Sequence, residues 1–403
     1  KWGLGLQVDS DGDSFIDTVE ISYNSDPKDP SSIPQDIPSV VGEAKLWLDA
    51  TNVDGKQNNT LINGSSISEW KDLSGNLNDA TQSESQRRPK LIGNSLNNKS
   101  TIRFDGIKSN NGDYLKKNNG LQITNELSIF VVTNKSSYGG AYEKILAIRG
   151  SGKHGHLISE GPSPYNYYVY ASTPSGGYTN IIDENSLGGA LITNSSLGDG
   201  EISISISGRL IGKKSHNYPV NGNEVLTLGW AYDDEYWDGD IAEVLVFNKK
   251  LSEQKNIDIN YYLSKKWGLT STMDSDGDGH TDSVEIAKSK SPTDPNSKPS
   301  EKVTKRYSFG SGYTGQGTKT VHIIDVKGSG NRIPTNIFFS ASSKDQGWGN
   351  RCSYSYANIY DSSGENIGSA RVTAPRSGSY QTGTVSVDLN TDKAMKELRI
   401  VLR

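Results

Sequence analysis

Apolar and polar residues alternate with a period of two in six segments of the first two-thirds of the chain: LWLDA (46–50), STIRFDG (100–106), ELSIFVVTN (126–134), EISISISG (201–208), VLTLGW (225–230) and DIAEVLVFN (240–248). Successive side chains of a strand point to opposite faces, so this pattern predicts half-buried β-strands. Clusters of Asn, Gly and Asp between them predict turns. YNYYVY (165–170) reads as a further strand with tyrosines on both faces. The period becomes helical in LSEQKNIDINYYLSKKWGL (251–269), where Ser252 is the expected N-cap and Ile257, Tyr261 and Tyr262 share one face beside Leu263. After residue 304 the alternation returns in TVHIIDV (320–326), NIFFSAS (336–342), CSYSYANIYD (352–361), SARVTAP (369–375), GTVSVDL (383–389) and ELRIVLR (397–403). Six strands in about 100 residues suit a second sandwich. The expected fold is mainly β: two β-sandwich domains, 40–268 and 301–403, with short acidic loop segments at 1–39 and 269–300.

Those two segments are copies of each other. Residues 1–32 align with 266–297 without a gap, with 17 of 32 positions identical, including KWGL at Lys1 and Lys266 and DSDGD at Asp9 and Asp274. DSDGDGHTDSVE (274–285) fits the EF-hand loop pattern D-x-[DN]-x-[DN]-G-x5-E without a mismatch. Asp274, Asp276 and Asp278 fill positions 1, 3 and 5, and Gly279 supplies the turn at position 6. The His280 carbonyl serves position 7, Asp282 position 9 directly or through water, and Glu285 is the bidentate ligand at position 12. Five carboxylates in twelve residues repel one another unless a cation neutralises them, and the expected cofactor is Ca²⁺. The first copy offers Asp9, Asp11, Asp13, the Phe15 carbonyl, Asp17 and Glu20. It departs from the pattern at position 6, where Ser14 stands in place of glycine, and is expected to bind more weakly because that position calls for positive φ.

Only a short helical turn fits after each loop before Pro27 or Pro292, followed by DPKDP and SPTDP. This resembles the bacterial thrombospondin type 3-like repeats, in which acidic calcium loops ending in "DP" stiffen joints between extracellular domains; by that resemblance Asp29 and Asp294 are additional candidate ligands. Across about 225 residues, LWLDA, SEWKDLSGNLNDATQ, IRFDG, DGDIAEVLVFNKKLSEQ and YLSKKWGL follow in order. Their succession resembles the laminin G-like, concanavalin A-like jelly roll of bacterial surface proteins. The resemblance implies two antiparallel sheets packed face to face with a terminal helix, and a domain that binds sugars, binds proteins or spaces other domains. KWGL closes this domain, so the opening KWGL implies a preceding copy and a repeating unit of about 265 residues. SSKDQGWGN (342–350) resembles a loop of galactose-binding-like jelly rolls, which would make Asp345, Gln346, Trp348 and Arg351 ligand-lining; a tight turn packed by Trp348 is the other reading.

Composition narrows the class. Hydrophobic residues make up 33% of the 403, with 43 Gly and 20 Tyr, which suits turn-rich sandwiches rather than helical bundles. A single cysteine, Cys352, excludes an intrachain disulfide, leaving calcium as the natural brace. No run of about 20 apolar residues predicts a membrane span. The net charge of −5 is uneven: from residue 301 onward 14 Lys/Arg face 8 Asp/Glu, a surplus of +6 against −11 for the rest. Two bound Ca²⁺ offset most of the acidic excess. The expected location is the cell surface. Expected partners are further copies of the chain or neighbouring surface proteins, docked basic end to acidic body, or an acidic envelope polysaccharide.

Two loops carry further candidate chemistry. WKDLSGNLND (70–79) is rich in oxygen donors that suit calcium or sugar hydroxyls, or else Trp70 fills the core while Asp72 and Asn76 cap turns. WAYDDEYWDGD (230–240) sets Trp230, Tyr232, Tyr236 and Trp237 among carboxylates, as sugar clefts and interdomain contacts both do, or else the rings fill the core. His154, His156, His216, His280 and His322 are scattered, and neither a nucleophile motif nor a P-loop is present, so no enzyme is expected. Net negative charge without a basic motif argues against nucleic acid. A structural or adhesive calcium protein and a calcium-dependent lectin are the readings that remain.

Overall fold

The computed structural model describes residues 8–108, 111–123, 126–135, 142–149, 155–161, 167–172, 178–183, 188–216, 225–231, 234–299, 319–325, 336–343, 353–360, 366–374, 381–388 and 397–402. Tyr232, Asp345, Gln346, Trp348, Arg351, Cys352 and His154 lie outside them. The chain forms two compact units, Lys1–Lys298 and Pro299–Arg403. The fold is mainly β, as the alternation predicts.

In the first unit, one antiparallel sheet runs Arg209–Ser215, Glu201–Ile206, Gly189–Gly198, Leu127–Lys135, Asp238–Phe247, Lys99–Asp105 and Lys90–Leu96, with Leu46–Asp49 also pairing Asp238–Phe247. A second antiparallel sheet runs Tyr178–Ile182, Tyr167–Ser172, Gly155–Glu160, Lys144–Arg149, Val225–Leu228, Leu115–Lys117, Ala80–Thr81 and Glu69–Trp70. Glu201–Ile206 shows the period-two logic directly: Ile202, Ile204 and Ile206 are buried, whereas Glu201, Ser203 and Ser205 are half-buried. In the second unit, Lys319–Asp325, Glu397–Leu402, Ser353–Tyr360 and Asn366–Ala374 form one sheet and Asn336–Ser343 pairs Gln381–Asp388.

Helix α2 (Glu253–Trp267) starts where the sequence places it. The Ser252 hydroxyl accepts from Lys255 N at 3.4 Å, and Gly268 at φ +67° ends the helix in the left-handed conformation glycine tolerates. The residue classes that define the jelly-roll resemblance meet at its C-terminal end. Lys266 Nζ lies 2.7 Å from Asp49 Oδ2 and 2.8 Å from Glu243 Oε2. Glu243 also accepts from Trp47 Nε1 (2.8 Å), Tyr262 Oη (2.7 Å) and Trp267 Nε1 (2.7 Å). LWLDA, DIAEV and KKWGL are thus three strokes of one buried ion network. Although burial opposes it, the Lys266 ammonium holds Asp49 below the usual carboxylate range.

The N-terminal loop segment is anchored on this network. Tyr23 stacks on Trp47 (centroids 6.2 Å apart, 22° between planes) and donates to Asp49 Oδ2 at 3.0 Å. Phe15, Ile16 and Val19 join Ile37, Val40 and Val41 in the main hydrophobic cluster of the unit. At the other segment the counterparts of Phe15 and Ile16, His280 and Thr281, are half-buried, and Val284, the counterpart of Val19, is 42% exposed. It is held instead by α2, whose Ser264 hydroxyl bonds Asp282.

Candidate cation sites

Both twelve-residue loops close in the same way. Helix α1 (Asp17–Ser22) and helix α3 (Asp282–Ala287) each begin at loop position 9 and carry the position-12 glutamate one turn on. A backbone bond pins each loop across its neck: Asp17 N to Val8 O at 2.7 Å, and Asp282 N to Met273 O at 2.8 Å. The aspartates at position 9 stay inside this closure. Asp17 accepts from Ser10 N and Oγ, and Asp282 from Ser275 N and Oγ and Ser264 Oγ, so their oxygens are already engaged. Position 6 adopts positive φ in both loops, +83° at Ser14 and +99° at Gly279.

The remaining acids converge. Carboxylate oxygens of Asp9, Asp11 and Asp13 lie within 4.8 Å of one another, as do those of Asp274, Asp276 and Asp278. Oxygens sharing one calcium are at most about 5 Å apart, so each trio is spaced to share an ion. Position 1 helps shape the loop: Asp9 accepts from Gly12 N and Ser14 N, Asp274 from Asp278 N and Gly279 N. At positions 3 and 5 one oxygen of each aspartate takes a loop N–H while the other, Oδ2, is buried without a partner in Asp11, Asp13, Asp276 and Asp278. Glu20 and Glu285 are fully buried, and neither oxygen of either finds a hydrogen-bond partner. Burial, then the neighbouring aspartates, pushes Glu20 up to about 7, Glu285 to about 8 and Asp276 to about 6. The residues present fit a hard, oxygen-seeking cation. Phe15 and His280 stand at position 7, where a main-chain carbonyl is the donor, so the Phe15 ring is free to pack in the core.

Asp29 and Asp294 are not part of either trio. Asp29 accepts from Ser31 N and Oγ, and Asp294 from Asn296 N, closing exposed turns. The oxygen-rich loop 70–79 is spent internally as well. Trp70 is buried with Nε1 donating to Asp49 O; Asp72 takes Trp47, Ser74 and Asn78 N–H groups; Asn76 and Asn78 bind the Ala44 and Lys45 carbonyls.

In the aromatic cluster Tyr236 and Trp237 take the core-filling role. Tyr236 and Trp237 are buried and cannot offer ring faces to a ligand. Trp237 is covered by Lys135 Nζ at 4.3 Å from its ring centroid, and Lys135 is in turn bonded to buried Glu143 and Glu160. Tyr236 stacks on half-buried Trp230 at 6.0 Å, which also meets Tyr114 at 5.2 Å. What sequence reading missed is the Asp49–Glu243–Lys266 network; its visible signal was a lone glutamate inside the apolar run IAEVLVF.

No protein-family model matches the chain, and no curated protein matches it. Solved structures do. The binding domain of Paraclostridial Mosquitocidal Protein 1 aligns with TM-score 0.41 and 13% identity over 56% of this chain and 53% of that one. The Botulinum neurotoxin serotype D binding domain aligns with TM-score 0.39 and 14% identity over 55% and 51%. Domain 4 of AbnA, a GH43 extracellular arabinanase from Geobacillus stearothermophilus, solved in complex with arabinotriose, aligns with TM-score 0.33 and 15% identity over 41% and 77%. The matched region spans about half the length of the first two.

Proposed function

We propose that this chain is a calcium-braced β-sandwich module, a stiff structural or adhesive element working outside the cell, whose two loop segments each take one Ca²⁺. One observation carries the reading: the two loops, 265 residues apart, bury the same carboxylate oxygens without partners, at positions 3, 5 and 12. A buried unpartnered carboxylate is strongly unfavourable, and the same pattern twice in one chain is the signature of a group that completes it. Both oxygens of Glu20 and of Glu285 await the ion, which suits bidentate coordination of calcium better than the strict octahedron of magnesium. The reading assigns the chain no catalytic chemistry. Among the described residues no helix is long and apolar enough to cross a membrane.

Ligands that bind only the native state stabilise it by about 2.7 kcal/mol at a hundred-fold excess over Kd, so two sites give about 5 kcal/mol. At about 2 °C per kcal/mol for a unit of this size, the melting temperature of the full chain rises by roughly 10 °C in calcium over chelator. Superimposable melts in calcium and in excess chelator sink the proposal.

A further inference from the structure

The first unit buries a second group of ion-paired side chains besides Asp49, Glu243 and Lys266. Lys135 ends strand Leu127–Lys135 of the first sheet, Glu160 ends Gly155–Glu160 of the second, and Glu143 immediately precedes Lys144–Arg149 of the second. Lys135 is 2% exposed and both glutamates are wholly inaccessible. Lys135 Nζ lies 2.6 Å from Glu143 Oε2 and also bonds Glu160 Oε2, while the ring of buried Trp237 closes over the amine. We propose that Lys135 and Glu143 condense into an amide that ties the two sheets together covalently, with Glu160 carrying the proton.

Charge and hydrogen bonding select this pair. Taking an ion out of water is expensive, and one ammonium does not neutralise two carboxylates. Condensation removes one positive and one negative charge and leaves a neutral amide. Glu143 is also poised as the acyl group. Its Oε2 accepts from Asp238 N at 3.1 Å as well as from Lys135, and its Oε1 is buried without a hydrogen-bond partner among the described residues. The Asp238 N–H stabilises the negative oxygen of the addition intermediate, and Oε1, held by nothing, is the oxygen free to leave. The Lys266 network has the same residue classes and the opposite wiring. Asp49 Oδ1 accepts from Thr51 N and Oγ1, and its Oδ2 from Tyr23 and Lys266. Both oxygens of Glu243 are likewise engaged, by Trp47, Tyr262, Trp267 and Lys266. Those carboxylates are held as anions, and that network stays ionic.

The step balances without a co-reactant. The Lys135 ammonium passes a proton to Glu143, giving an amine and a neutral acid side by side, while Glu160 stays a carboxylate. The amine lone pair attacks Glu143 Cδ. Glu160, whose backbone N–H bonds Glu143 O at 2.9 Å, takes the proton the nitrogen then sheds and delivers it to Glu143 Oε1. The Cδ–Oε1 bond breaks, water departs, and the Nζ–Cδ amide remains with Glu160 ionised as before. Holding the amine against the acyl group replaces a bimolecular encounter with a unimolecular step. The amide is indifferent to redox potential and to chelation, so it does not rest on the calcium reading. In a chain with one cysteine it fills the place of a disulfide.

The test is the mass of the full chain, measured intact after denaturation and followed by a tryptic map. The parent should be lighter than its sequence by one water. In the map, cleavage after Lys135 should be lost and a single peptide, Asn118–Lys144, should appear short of that water. Cleavage after Lys266 should proceed normally, as an internal control. Lys135→Met and Glu160→Gln, checked for folding by circular dichroism, should keep their full mass. A parent at full mass overturns the proposal whatever the variants do. So does a water lost elsewhere, as at a cyclised Asp-Gly pair. A link from Lys135 to Glu160, or water still lost at Lys135 in Glu160→Gln, overturns the roles given to the two glutamates. None of these outcomes bears on the calcium reading.

Discussion

Replacing Lys266 with methionine tests whether the family-like motifs serve architecture. Lys266 Nζ is the shared cation of Asp49 and Glu243, at 2.7 and 2.8 Å, and both carboxylates are wholly inaccessible. Methionine keeps the aliphatic stem and removes the charge, leaving two carboxylates facing each other in the interior. Removing one partner of a buried ion group costs about 3–5 kcal/mol, which for a unit of this size lowers the melting temperature by roughly 6–10 °C. The effect also has a pH sign. Asp49 is depressed in the native state, so in the parent it contributes stability above its unfolded pKa, which is lost as pH falls through the native one. In Lys266→Met the depression is gone and burial raises Asp49 instead, so acidification from neutral pH should narrow the gap between variant and parent. The assay is a thermal or urea melt in saturating calcium at pH 7.5 and near pH 4.5. Adding Asp49→Asn should recover part of the loss. A variant within about 1 kcal/mol of the parent at neutral pH refutes the reasoning, because the network would then not be holding the fold.

Three smaller perturbations probe other links. Burial, and secondarily Asp105, pushes buried Asp113 up to about 7, so it destabilises the native state as pH rises from about 4 to 7; Asp113→Asn should raise stability at pH 8 by about 1–2 kcal/mol and leave it nearly unchanged at pH 4, as read by paired melts. Gly208→Ala places a methyl on the Asp274 carbonyl at a residue with φ +83°, and should weaken calcium at the second loop at least ten-fold, measured by titration in a Glu20→Gln background, while the first loop, titrated in a Glu285→Gln background, keeps its affinity. Ser14→Gly relieves a left-handed non-glycine residue worth about 1 kcal/mol, and should tighten the first loop about five-fold; unchanged affinity there would show that its φ is not strained.

The sandwich was legible wherever one face of a strand meets solvent. Glu201–Ile206 alternates cleanly because Ser203 and Ser205 face outward, and the Ser252 cap marks α2 to within a residue. Strands such as Gly189–Gly198 and Gly155–Glu160 were not, since they bury Thr193, Ser195, His156 and Glu160 and so read as polar. His156 survives there by bonding Ser195 Oγ at 2.9 Å, with burial pushing its pKa down to about 3. The convergence of Asp9, Asp11 and Asp13 and of Asp274, Asp276 and Asp278 was legible because a loop pattern taken from one contiguous segment fixes residue type by position. Division of labour among them was not: Asp17 and Asp282 have the right side chain at the right spacing, yet nearby serines take their oxygens. The aromatic cluster left two readings open for a related reason, since composition records that Tyr236 and Trp237 are large but not which way the chain turns them.

The central claim is two calcium ions per chain, one on each loop. Isothermal titration of the calcium-stripped full chain, in parallel for the parent, Glu20→Gln, Glu285→Gln and the double variant, counts them directly. Two sites in the parent, one in each single variant and none in the double variant is the predicted result. A parent that takes up fewer than two ions, or a double variant that still binds two, contradicts the account.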